Sequence, residues 1–168
     1  MKIKLVSVVL LTSFLAACAG SAPAPQTAVS QVAGRGAGLK IKHTSVFVDD
    51  QDKALRFYTE VLGFTKKDDF SNSGYRWLTV SAPDDKDGPE LQLALNDNPA
   101  AKAYQQATFQ QSQPAVMFYT HDVKADYERI KSLGAAFTMP PTEVMAGSVI
   151  ATLNDTCGNL IQLTQLAR

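Results

Sequence analysis

Hydrophobic and polar positions fall into two recurring registers from residue 39 onward. Residues 40–48 (KIKHTSVFV) alternate and are rich in β-branched side chains, the period-two pattern of a half-buried strand. Asp49 and Asp50 follow as helix caps, and Ala54, Phe57, Tyr58, Val61 and Leu62 recur at i, i+3, i+4, i+7 and i+8, the stripe of an amphipathic helix. Gly63 is placed to end that helix. Three further strands are predicted at 64–70, 75–81 and 90–95, with Asn72-Ser73-Gly74 as a hairpin turn and 84–89 as a polar loop. A connector over 99–111, partly helical, then leads into the same order again. Residues 115–120 read as a strand, Asp122 as a cap, and Val123, Tyr127, Ile130 and Leu133 as a helical stripe stopped by Gly134; strands follow at 136–139, 148–154 and 160–165.

The two halves are in register. Phe47 and Tyr119 lie 72 positions apart, Gly63 and Gly134 lie 71 apart, and Gln92 and Gln162 lie 70 apart. A near-constant offset with elements in the same order predicts a duplicated βαβββ unit, of class α+β. The modules span 39–98 and 113–168 within one domain, 39–168.

The first forty residues have a different pattern. Lys2 and Lys4 precede an apolar run, Leu5 to Leu15, shorter than the roughly 20 residues that span a bilayer, so it reads as an export signal. Leu15-Ala16-Ala17-Cys18 resembles the lipobox of bacterial lipoproteins, which implies cleavage after residue 17 and lipidation of Cys18. An ordinary secretory signal is the alternative. Residues 18–38 are rich in Ala, Gly, Ser, Pro and Gln without an apolar period, and are expected to tether the domain. By the same resemblance, Ala19 lacks the aspartate that retains lipoproteins in the inner membrane, implying the periplasmic side of the outer membrane in a diderm host.

Composition adds little to this picture. The 168 residues are 45% hydrophobic and 19% charged, with a formal net charge of +0, which gives no electrostatic reason to expect nucleic acid as a partner. No phosphate-cradling glycine loop, Cys/His zinc cluster or nucleophilic serine elbow occurs in the sequence. Of two cysteines, Cys157 is left without a partner and reads as a small buried side chain.

Strand parity sorts the remaining polar residues. Val46 and Val48, Leu91, Leu93 and Leu95, Val116 and Phe118, and Ile161 and Leu163 point to a core. His43, Ser45, Glu90, Gln92, Ala115, Met117, Tyr119 and Gln162 fall on the opposite face, joined by Trp77 and Thr79. Trp77 and Tyr119, with Tyr75, are candidate walls of a ligand cavity. Asp49, Asp50 and Asp122 are read as caps, not as catalytic carboxylates.

His43-Thr-Ser-Val-Phe-Val-Asp-Asp, Ala54-Leu-Arg-Phe-Tyr-Thr-Glu-Val-Leu-Gly-Phe64, Tyr75-Arg-Trp-Leu-Thr-Val80 and Asp155-Thr-Cys-Gly-Asn-Leu-Ile-Gln-Leu163 together resemble the glyoxalase / bleomycin-resistance / extradiol-dioxygenase (vicinal oxygen chelate) superfamily over 40–166. The resemblance implies two modules curled into an open half-barrel around a concave cavity, and relatives that often dimerise. It places a divalent cation at four positions, here His43, Gln92, Ala115 and Gln162. Alanine cannot coordinate and glutamine is a weak donor. A shifted set of His43, Glu90 and Gln162, with Gln92 nearby, is the alternative site for Zn, Ni, Mn or Fe, and Glu90 is then the candidate base of a glyoxalase-type lyase. With one strand histidine, extradiol dioxygenase chemistry is disfavoured. A non-catalytic small-molecule-binding protein of bleomycin-resistance type is the other expectation, and an envelope lipoprotein with an idle cavity a third.

Overall fold

A computed structural model describes residues 38–85 and 87–167. The leader, the lipidation site at Cys18 and all of the tether except Gly38 lie outside the described residues.

The first module runs β1 (His43–Val48), α1 (Gln51–Arg56), β2 (Thr65–Asn72), β3 (Tyr75–Ser81) and β4 (Glu90–Leu95). After α2 (Pro99–Gln110) the second runs β5 (Pro114–Tyr119), α3 (Val123–Ser132), β6 (Phe137–Glu143), β7 (Val149–Asn154) and β8 (Leu160–Gln165). The two four-stranded sheets have matching orders, β1-β4-β3-β2 and β5-β8-β7-β6. In each, the first and last strands of the module pair in parallel and the other neighbours are antiparallel. The duplication read from the sequence is therefore the architecture of the chain.

The helices of the two modules, α1 and α3, each start where an aspartate supplies the missing acceptor. Asp50 Oδ1 accepts from the amides of Asp52 and Lys53, and Asp122 Oδ1 from those of Lys124 and Ala125. Gly63 and Gly134 end the two segments with φ near +89°, a conformation that penalises a Cβ. The first helical stripe is not α-helical throughout. Residues Phe57–Val61 form a π-helical turn in which the Leu62 amide bonds Phe57 O, and the adjacent Phe57 and Tyr58 are both buried.

One core joins the modules. Val46, Val48, Leu78, Val80 and Leu93 from the first sheet pack with Leu153, Ile161 and Leu163 from the second, and with Ala54, Tyr58, Val123 and Ile130 from the helices. Each large side chain buried this way contributes about 1.5–3 kcal/mol before the entropy of ordering is subtracted.

Polar bonds tie the modules as well. Asp155 is fully buried in the β7–β8 turn, where its carboxylate accepts from the amides of Cys157 and Asn159, from Asn159 Nδ2, and at 3.4 Å from Tyr58 OH. Burial pushes its carboxyl above the ordinary range, against the pull of these donors. Gln105 of α2 donates to Phe47 O at 2.7 Å and to Cys157 O at 2.9 Å, and Asn159 Nδ2 also bonds Phe47 O at 2.7 Å. The linker helix thereby satisfies the Phe47 carbonyl of β1.

Several sequence expectations are corrected. The first strand begins at His43 rather than 40, because β4 offers its first rung only there, at His43↔Glu90; Leu39 and Ile41 are exposed. Strand β6 extends through Pro140 and Pro141 to Glu143, tolerable on an edge where no amide is needed on the outer side. Leu95 is exposed at the end of β4, although parity assigned it to the core. Cys157 is buried as expected, and burial pushes its thiol up to about 12.

Candidate functional site

The face of the first sheet opposite the core carries a layer of polar groups beneath aromatic rings. Parallel pairing sets His43 beside Glu90 and Ser45 beside Gln92, and antiparallel pairing sets Thr79 beside Gln92. The period-two alternation that buries Val46, Val48, Leu91 and Leu93 turns all five of these residues to this face.

Glu90 is almost wholly buried and fully engaged. Its Oε2 accepts from Thr79 Oγ1 at 2.8 Å and lies 3.6 Å from His43 Nε2, while Oε1 lies 3.0 Å from Lys42 Nζ. Thr79 in turn accepts from the Asp68 amide at 3.1 Å, within the irregular stretch of β2. The Thr79 hydrogen bond, followed by the Lys42 charge, outweighs burial and holds the Glu90 carboxyl below its usual range. A carboxylate stabilised in this way is a poor proton acceptor near neutral pH.

Gln92 is held from both sides. Its Oε1 accepts from Ser45 Oγ at 2.7 Å, and its Nε2 donates to the phenol oxygen of Tyr75. Above this layer the Trp77 ring meets His43 edge-on, with centroids 5.3 Å apart, and stacks on Phe70 at 6.5 Å with 24° between planes. Phe70 and Tyr75 are exposed, and Trp77 is half-buried. The result is an open aromatic wall over a hydrogen-bonded floor.

The predicted site residues divide between the two sheets. His43, Glu90, Gln92 and Trp77 come together on the first. Gln162 belongs to the second, where its Nε2 bonds Thr164 Oγ1 at 3.0 Å and lies 3.5 Å from Met117 Sδ. It lines a separate cavity of about 390 Å³ with Phe109, Thr138, Met139 and Thr152. Tyr119 also faces elsewhere, into a cleft of about 510 Å³ shared with Phe64, Pro83 and Arg129. Ala115 sits at an irregularity of β5, between the rungs formed by Pro114 and Val116.

These residues do not fit a divalent cation. Both Glu90 oxygens face hydrogen-bond or ammonium donors, the Gln92 carbonyl is spent on Ser45, and position 115 has no donor atom. Among the described residues no three His, Cys, Asp or Glu side chains form a group that could hold a metal ion. Parity places Ser45 on this face without assigning it a role, and Tyr75 is expected as an aromatic wall rather than as a partner of Gln92; Lys42 is not expected on this face at all.

The family model for the Glyoxalase/Bleomycin resistance protein/Dioxygenase superfamily matches residues 40–163. The uncharacterized protein YurT of Bacillus subtilis (strain 168) is 51% identical over 127 residues, covering 76% of this chain and 99% of YurT. A probable lactoylglutathione lyase of Vibrio cholerae is 28% identical, covering 75% of this chain and 90% of the lyase. Among solved structures, TnmS3, an antibiotic binding protein from Streptomyces sp. CB03234, is 29% identical with a TM-score of 0.61, covering 79% of this chain and 99% of TnmS3. With a duplicated βαβββ fold and a family match that spans both modules, this chain belongs to the glyoxalase / bleomycin-resistance protein / dioxygenase superfamily.

Proposed function

We propose that this protein binds a small planar aromatic molecule on the open face of its first sheet, without a metal and without chemistry on the ligand. The observation that carries this reading is the engaged floor: both Glu90 oxygens and both polar atoms of the Gln92 amide have a partner within the protein. What the face still offers a ligand is mostly aromatic surface, from Phe70, Tyr75 and Trp77. Aromatic pairs contribute about 0.5–1.5 kcal/mol beyond area burial, so two or three stacked rings suffice for modest affinity. Similarity to an antibiotic binding protein supports the same class of role.

Trp77 is the only tryptophan in the sequence, so its fluorescence reports on this face directly. Titration with sulfonated naphthalenes, anthraquinones and flavones is expected to give saturable quenching that survives chelation. If none of them quenches saturably, the reading is wrong.

We also propose that the chain is lipidated at Cys18 and held at the cell envelope, on the periplasmic side of the outer membrane in a diderm host. The support is the Leu15-Ala16-Ala17-Cys18 pattern after a short apolar run. Metabolic labelling with a fatty-acid analogue should tag the native chain and not Cys18→Ser; equal labelling of both would refute the assignment.

A further inference from the structure

Resting on that reading, we infer that the ligand carries a hydrogen-bond acceptor, a ring carbonyl or comparable oxygen, and that the phenol of Tyr75 is the donor that recognises it. The inference follows from the direction of one hydrogen-bond chain. Ser45 Oγ donates to Gln92 Oε1, which fixes the amide plane, and Gln92 Nε2 then donates to the Tyr75 oxygen. Ser45 spends its proton on the carbonyl and Gln92 spends a proton on the phenol. The phenol proton is left over, and no acceptor for it is found among the described residues.

The tyrosine itself is exposed. Tyr75 is 54% accessible at the start of β3, on the same face as Trp77 two residues on. Accepting a bond from Gln92 polarises the phenol and strengthens the bond it gives. A ligand ring lying on Trp77 and Phe70 would thus meet, at its edge, a donor with no competing partner in the protein.

The neighbouring hydroxyl and ammonium groups of the floor are already engaged. Thr79 Oγ1 gives its proton to Glu90, and Lys42 is paired with the same carboxylate. Ser45 is then a positioning residue, acting through Gln92. A binding site that donates to a ligand oxygen discriminates strongly against an analogue lacking it, because the donor is left unpaired beneath the ligand.

Two probes of one shape test this by Trp77 quenching: anthraquinone-2-sulfonate, with ring carbonyls, and anthracene-2-sulfonate, without them. The native protein should prefer the quinone about tenfold. Tyr75→Phe should remove that preference by weakening the quinone alone, and Ser45→Ala should reduce it partly. Unfolding temperatures near the native value would show that both variants are folded. If Tyr75→Phe weakens both probes equally, or neither, the phenol is not the recognising donor and the inference falls while aromatic binding stands. If the native protein binds neither probe saturably, the binding reading and this inference fall together.

Discussion

Lys42 Nζ lies 3.0 Å from Glu90 Oε1, so the residue just before the first-strand histidine supplies the positive charge that balances the buried carboxylate. Thr79 takes the other oxygen at 2.8 Å. The carboxylate of this face is therefore satisfied by the chain itself.

The Thr79–Glu90 bond has a signed pH consequence. Glu90 has its carboxyl held below the ordinary value, first by Thr79, so its contribution to stability is present above the unfolded-state pKa and is lost as pH falls through the lower folded-state pKa. Thr79→Val removes the largest lowering influence and raises the Glu90 pKa. The acid-unfolding limb should move to higher pH, and stability at pH 7 should fall by about 1.5–3 kcal/mol, the usual size of a hydrogen bond to a charged group. Urea unfolding from pH 3 to 7 checks both; an unshifted acid limb would show that Thr79 does not control this carboxylate.

Cys157 should be inert in the native state. Its thiol is fully buried and pushed up to about 12 by burial and then by the neighbouring Asp155. In a chain starting at residue 18 and carrying Cys18→Ser it is the only cysteine. A chromogenic disulfide reagent at pH 8 should react with it orders of magnitude more slowly than in denaturant, where thiols regain their ordinary reactivity. Rapid native labelling would mean that the β7–β8 turn opens readily.

Gln105 is expected to behave as a clamp. It is 5% exposed and donates to carbonyls of both modules. Gln105→Ala leaves buried acceptors underpaired and should cost about 1–3 kcal/mol. Gly158→Ala should also destabilise, since its φ is +97° and a Cβ would come within 2.9 Å of Gln105 Nε2. Chemical denaturation of the two single variants and the double variant should show coupling rather than simple addition.

Part of this was legible in the sequence because β1 and β4 set apolar residues at alternate positions against the core. Alternation in 90–95 set Glu90 and Gln92 opposite Leu91 and Leu93, and the parallel rungs then brought them to His43 and Ser45. Period-two reasoning assigns faces but says nothing of reach. It could not show that Tyr75 extends to Gln92, or that Lys42, nominally on the other face at the strand end, turns to Glu90. Gln105 read as one more polar residue of a polar helix, because only the packing of α2 against β1 reveals what it bonds. Tyr119 and Gln162 were grouped with Trp77 by parity alone, and the separation of the two sheets sends them to other cavities.

Thermal unfolding of the native protein and of His43→Ala, after chelation and then with Zn, Ni, Mn, Co and Fe(II) added singly, bears most directly on whether this face works without a metal. A bound ion at a hundredfold excess over its dissociation constant would stabilise the fold by about 2.7 kcal/mol, readily seen as a rise in Tm. The expected result is the same Tm with every ion for both proteins. A rise specific to one metal that disappears in His43→Ala would contradict the metal-free reading and restore a His43-centred metal site.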